Sequence, residues 1–216
     1  VRELQPGIMI NNRSGWEGDF DVRERKIGYI RTDKPWDSCD CLTKSWGYVP
    51  DAPMLTLKEC IHHLIHIVTR DGNYLLNVGP TGAGEIEERQ IELLKQVGDW
   101  IGKYAQTIYG TRGGPFVPGE WGGATYAGQS IYLHITSWHD NRLVLPKWKH
   151  PIVSWSGLNA TGITVVETDT EIVVAIADDQ KDAIDTIVEL HFEKPIEWEG
   201  ISSVEDGVYG LADGLS

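Results

Sequence analysis

Residues 56–79 read TLKECIHHLIHIVTRDGNYLLNVG, a helix followed at once by a strand. Thr56 and Glu59 have the spacing of a capping box, in which hydroxyl and carboxylate each satisfy a free backbone N–H at the head of a helix. Leu57, Ile61, Leu64, Ile65 and Val68 recur at helical spacing on one face, so the helix runs to about Arg70. Asp71-Gly72 ends it, and 73–79 (NYLLNVG) is an apolar strand. After a turn-rich link at 80–84, a second helix is predicted from about Ile86 to Tyr104, with Ile91, Leu94, Val97 and Ile101 facing inward. Upstream, GIMINN at 7–12 reads as a buried parallel strand that ends in polar side chains, and SWGY at 45–48 as the end of another. Strands that alternate with helices build a parallel sheet, most simply part of a (β/α) barrel.

The pattern changes after Arg112-Gly113-Gly114-Pro115. Residues 131–135, 163–167, 171–177 and 186–192 are rich in Val, Ile and Thr, with turn residues between them and no amphipathic helix. The expected organisation is therefore α/β plus all-β. Residues 1–113 form the C-terminal part of a (β/α) barrel, and residues 114–216 an antiparallel β-sandwich. A complete barrel needs eight strands and about 200 residues. The first segment offers three strands, or four if 105–110 contributes, so it is expected to be an incomplete barrel. Its open edges call for a complementing N-terminal barrel chain or for self-association.

Composition narrows the function. From Pro115 onward the chain holds 5 Lys and Arg against 16 Asp and Glu, and before it 14 against 16. An acidic surface repels phosphate backbones, so nucleic acid is not an expected partner, whereas a neutral sugar is indifferent to this field. No run of about 18 apolar residues occurs, so no membrane partner is expected. The chain opens on Val1 without a signal-peptide pattern, as a mature product or a piece of something longer would. Cys39, Cys41 and Cys60 are odd in number and read as free thiols. Asn12 and Asn159 head Asn-x-Ser/Thr triplets, which mean little without evidence of secretion. His62 and His66 are i, i+4 neighbours, but no Glu sits between them as in His-Glu-x-x-His, so no metal or cofactor is expected.

The densest cluster of chemistry follows GIMINN: Asn11, Asn12, Arg13, Glu17, Asp19, Asp21, Arg23, Glu24 and Arg25. Unstructured connections as long as the one from Arg13 to Lys44 are usually functional or disordered. Glycoside hydrolysis needs two carboxyl groups in different environments, one to donate a proton and one ionised. Spacing alone leaves each of these acids equally a catalyst or a solvated loop charge.

Four strings, Ile10-Asn11-Asn12-Arg13, Gly18-Asp19-Phe20-Asp21-Val22-Arg23-Glu24, Pro35-Trp36-Asp37-x-Cys39 and Ser45-Trp46-Gly47-Tyr48, resemble in order and spacing the α-L-fucosidases of glycoside hydrolase family 29. So do Asp71-Gly72-Asn73-Tyr74-Leu75-Leu76-Asn77-Val78-Gly79-Pro80 and Ile108-Tyr109-Gly110-Thr111. The resemblance covers roughly 5–112 and implies hydrolysis of terminal α-L-fucosyl residues by a retaining double displacement. It implies Glu24 as general acid/base, with Val22-Arg23 where Thr-Pro is common. Arg23 and Arg25 would have to point away from Glu24 for that role. It implies Arg13 beside the sugar, Trp46 against the ring or its methyl group, and Trp36 and Asp37 lining the same cleft, with Asp where Glu is usual. The alternative for Trp46 is a barrel-packing residue. Asn77 reads as a partner of backbone or loop groups.

The family's nucleophile is an aspartate on an earlier barrel strand, and its sugar-binding histidines come from the first strands. Neither is found here, since all seven His lie at position 62 or later. The chain is therefore expected to bring the acid/base but not the nucleophile. The rival reading is a non-catalytic remnant or a carbohydrate-binding module built on the β-rich half and the nine Trp.

Overall fold

The computed structural model of the chain describes residues 1–200. Residues 201–216 of the expected second domain lie outside the described residues.

Three strands, β1 (Asp21–Glu24), β2 (Trp36–Cys41) and β3 (Asn73–Asn77), pair in parallel in the order β1-β2-β3. Helix α1 spans Leu57–Val68 and α2 spans Glu88–Tyr104. The capping box forms as read, with the Thr56 N–H donating to Glu59 Oε2 at 2.6 Å and the Glu59 N–H donating to Thr56 Oγ1 at 3.2 Å. At the other end Asp71 adopts φ 66°, and the Gly72 N–H closes on the Ile67 carbonyl. The inward face of α1 packs Ile61 and Ile65 against Trp100 and Ile108, as the helical spacing requires.

The upstream strands differ from the sequence reading. GIMINN does not form a strand: Asn11 makes one parallel bridge to Phe20, and Met9 is 64% exposed. The cause is local, because the Asp19 carboxylate captures the Ile10 N–H at 2.8 Å where a ladder carbonyl would stand. SWGY is also irregular. The long connection from Arg13 to Lys44 instead contains β1 and β2, whose sequences DVRE and WDSCDC are too polar to show an apolar period.

Beyond α2 run β4 (Arg112–Gly113), β5 (Gly122–Ala127), β6 (Ser130–Ile135), β7 (Arg142–Pro146), β8 (Ile152–Gly157), β9 (Thr164–Glu167), β10 (Glu171–Ala175) and β11 (Thr186–Phe192). They form two antiparallel sheets, β4-β5-β6-β11-β8 and β7-β10-β9. Leu133, Ile135, Val188 and Leu190 of the first sheet share one core with Leu143, Leu145, Ile172 and Val174 of the second. β6, β9, β10 and β11 fall on the four Val/Ile/Thr-rich stretches. β5 escapes notice because it opens Gly-Gly. Gly123 has to be Gly, since a Cβ there would lie 2.4 Å from Thr69 Oγ1.

The two halves are sewn together. Ile187 of β11 completes the α1–α2 core, and the Thr125 hydroxyl donates to the Thr107 carbonyl at 2.7 Å. His62 Nε2–H donates to the Ile184 carbonyl at 2.6 Å. The Asp71 carboxylate accepts from Arg112 Nε at 2.8 Å and from the Gly113 N–H at 2.9 Å. At Gly113 a Cβ would stand 2.3 Å from the Asp71 nitrogen, so only glycine passes there. No helix among the described residues is long and apolar enough to cross a membrane.

Candidate active site

Side chains alternate across a strand, and paired residues share a face. The registers Glu24↔Cys39↔Leu75 and Val22↔Asp37↔Asn73 therefore put Glu24, Cys39, Leu75 and Asp37 on one face of the parallel sheet. Arg23, Ser38, Asp40 and Tyr74 take the other, where Asp40 lies 3.7 Å from His63 of α1. Among the described residues the first face has no helix over it, and Leu75 is 57% exposed.

Arg13 reaches this face from a short 3-10 turn, Asn12–Ser14. The Asn11 side chain accepts the Arg13 N–H, Asn12 Oδ1 accepts the Val22 N–H at 3.0 Å, and Gly15 at φ 82° closes the turn. Gly18 lets the returning chain pass, because a Cβ there would meet the Ile10 and Asn11 backbone at 2.5 Å. So anchored, Arg13 splits its fork. Nη1 donates to Glu24 Oε2 at 2.6 Å and Nη2 donates to Cys39 Sγ at 3.0 Å. The bond to Glu24 raises the Arg13 pKa further. Burial pushes the Cys39 thiol up despite Arg13, so it is a neutral S–H, aimed at the Arg23 carbonyl. Cys39 has no role assigned from sequence. The available signal is its register with Glu24, which only a β1–β2 pairing reveals.

Arg23 and Arg25 both leave Glu24 alone. The Arg23 guanidinium lies over the Tyr29 ring at 5.4 Å, and Arg25, at φ 53°, turns its Nε to Asp40 at 3.4 Å. Asp37 is different again. Its Oδ1 is buried without a hydrogen-bond partner, and burial raises its pKa against the pull of Arg13. Two carboxyls in unlike settings thus stand on one face, Glu24 ion-paired and half-exposed, Asp37 desolvated. Asp19 and Asp21 are committed elsewhere, the first to Arg2 and the Ile10 N–H, the second to Arg31 and Lys34.

Trp46 is 42% exposed. Asn77 Nδ2 donates to its carbonyl at 3.0 Å, and Gly79 leaves room for the strip to cross, since a Cβ there would meet Gly47 at 2.8 Å. Asn77 therefore serves a loop backbone, as read. Trp36 is not brought to the site. It is 2% exposed, its indole N–H donates to the Arg70 carbonyl at 3.2 Å, and its ring fills the space left by Gly28 and Gly72. The expectation that Trp36 lines the cleft fails because the strand period turns it to the face opposite Asp37.

No group of three or more His, Cys, Asp or Glu with metal-holding geometry occurs among the described residues. His62 and His66 lie edge to face, 6.4 Å between ring centres.

Comparison with known proteins places these residues in context. A family model described as Alpha-L-fucosidase matches residues 1–106. Mouse tissue alpha-L-fucosidase is 31% identical over 115 residues, 49% of this chain and 25% of that protein. Human plasma alpha-L-fucosidase is 38% identical over 80 residues, 35% of this chain and 17% of that protein. Among solved structures, alpha-L-fucosidase isoenzyme 1 from Paenibacillus thiaminolyticus superposes with a TM-score of 0.75 at 28% identity, over 89% of this chain and 52% of that one. An alpha-L-fucosidase from Vibrio sp. strain EJY3 reaches 0.79 at 19% identity over 91% of this chain and 38% of that one, a likeness of fold. The chain thus matches about a quarter or less of the length of these curated relatives and about half or less of these solved ones.

Proposed function

Residues 1–106 of this chain belong to the α-L-fucosidase family, and from that premise we propose that it supplies the general acid/base for retaining hydrolysis of terminal α-L-fucosyl residues. Glu24 is that group. The observation that carries the reading is the Arg13–Glu24 pair, 2.6 Å long, at the end of β1 on the open face of the sheet. Arg13 borders the sugar, and the half-exposed Trp46 offers an aromatic surface to the apolar side of a 6-deoxy pyranose. The second carboxylate comes from outside these residues. Retention needs it about 5–5.5 Å from Glu24, a position from which it competes for Arg13 and frees Glu24 to carry a proton.

In this reading 1–113 is the C-terminal part of a (β/α) barrel, and the described residues from 114 onward are a β-sandwich packed on it. A complementing N-terminal barrel portion or a second copy closes the structure. Three features support this. Among the described residues β3 pairs only with β2, Leu75 is exposed on the site face, and a groove of about 650 Å³ beside β3 is lined by Leu64, Leu76, Leu94, Val97 and Ile101.

The test is hydrolysis of an aryl α-L-fucoside by the chain alone and mixed with an N-terminal barrel portion. We expect turnover only on mixing, and a loss of about 10²–10⁴ in rate in Glu24→Gln. Undiminished turnover in Glu24→Gln would sink the assignment. The desolvation of Asp37, which raises its pKa against the pull of Arg13, favours one second reading, in which Asp37 is the acid and Glu24 orients Arg13. Exogenous azide separates the two: it restores rate in the variant that has lost the acid/base, Glu24→Gln under the first reading and Asp37→Asn under the second.

A further inference from the structure

The second half of the chain contains a cleft that the fucosidase reading leaves unused. Two hairpin tips approach one another there. The first is closed by reciprocal bonds between Gly119 and Gly122, 3.0 and 3.1 Å, and carries Glu120 and Trp121 at its point. The second, between Trp138 and Arg142, has Asp140 and Asn141 both at positive φ, 49° and 60°, as a type I′ turn demands. It is tied down by the bond from the Arg142 N–H to the His139 carbonyl at 2.9 Å and by Lys181, which binds the Asn141 side chain. A bond from the Thr136 N–H to the Trp121 carbonyl fixes the tips relative to one another.

The space between them is about 560 Å³, within the range of small-ligand sites. Its walls include Trp121 and Trp138, with Glu120, Ser137, Asp140 and Arg142 around them. The indoles are pre-set. Trp138 donates its N–H to Thr186 Oγ1 at 3.4 Å and carries the Lys181 ammonium 5.8 Å from its ring centre, while Trp121 packs on the inter-sheet core. Rigid indoles offer apolar area at little entropic cost, and carboxylates and a guanidinium take adjacent hydroxyl pairs in two-point bonds. This combination suits a pyranose, which has an apolar C–H face and a rim of hydroxyls. The surrounding half, with 5 basic against 16 acidic residues, disfavours an anionic sugar.

We propose that this cleft is a second, non-catalytic site that binds the pyranose ring of a neutral glycan. It is independent of the role given to Glu24. The test is an ¹H–¹⁵N titration of the full chain with methyl α-L-fucopyranoside and with methyl β-D-galactopyranoside, with sorbitol as the acyclic control. The expected result is saturable movement of the Trp121 and Trp138 indole N–H signals with at least one pyranoside and none with sorbitol. The substitutions Glu120→Gln and Asp140→Asn, both on exposed side chains that leave the core intact, should each weaken binding by about tenfold. Glu24→Gln should leave it unchanged. No saturable movement, movement confined to other indoles, an equal response to sorbitol, or indifference to both carboxylate substitutions would each overturn the proposal.

Discussion

At the scale of single residues, Trp36 and Asp37 show what a motif conveys and what it leaves out. The string Pro-Trp-Asp names both as neighbours of a sugar, yet adjacent positions on a strand face opposite ways. Trp36 holds the sheet down: its ring lies where a Cβ on Gly72 would come within 2.4 Å. Trp36→Ala should therefore cost about 3–5 kcal/mol of stability, read as a drop in urea midpoint. A Trp36→Ala chain of unchanged stability would show the ring to be a cleft wall after all. Arg13 and Glu24 were legible as chemistry in the sequence, because acids and arginines interleave densely between Asn11 and Arg25, whereas Asp37 was singled out only by the family resemblance. Cys39 was not legible, because its meaning lies in a register with Glu24 that a polar strand conceals.

At the scale of elements, legibility followed hydrophobic pattern. Helices α1 and α2 and the Val-rich strands have a clean period and a buried face, and their outlines fell close to the readings. β1 and β2 carry charge for the site, and β8 is an exposed edge strand, so none advertises itself. Helix α1 also has a pH consequence. Burial lowers the pKa of His66 from 6.5 to about 3, helped by the nearby Arg70, and burial lowers His62 and His63 as well. Between those values the unfolded chain binds a proton that the folded helix refuses. The stability from a neutral His66 is thus complete above pH 6.5 and drains away as pH falls toward 3. Each unit of difference is worth about 1.4 kcal/mol, so the loss amounts to a few kcal/mol. His66→Gln should flatten the dependence of urea stability on pH across that window. An unchanged slope would mean that His66 is solvated.

At the scale of the whole molecule, the parallel sheet carries the proposal of an incomplete barrel. Among the described residues β3 has one neighbour, and the groove beside it is lined by partly buried aliphatic side chains that an assembly would cover further. Sedimentation velocity should find the chain self-associating, or joining an N-terminal barrel portion when one is added. Leu75→Lys, a charge on the 57% exposed position of β3, should weaken that association at least tenfold. A chain that remains a monomer in both conditions would overturn the barrel-completion reading. The strand count read from the sequence carries the same expectation of an incomplete barrel, although two of the strands counted, GIMINN and SWGY, are not strands.

The contact of Asp71 with Arg112 and Gly113 has a practical side for anyone who wants to study the two halves apart. The sequence changes character at that point, which makes it the natural place to cut. Yet Gly113 belongs to both sides at once. Its N–H seals the end of α1 through Asp71, and its strand position opposite Thr125 closes the edge of the five-stranded sheet. A cut before Arg112 strips the first half of its seal, and a cut after Gly113 strips the second half of its edge. Neither product would display the surface it has in the intact chain. Binding or assembly measured on either half should be checked against the undivided protein.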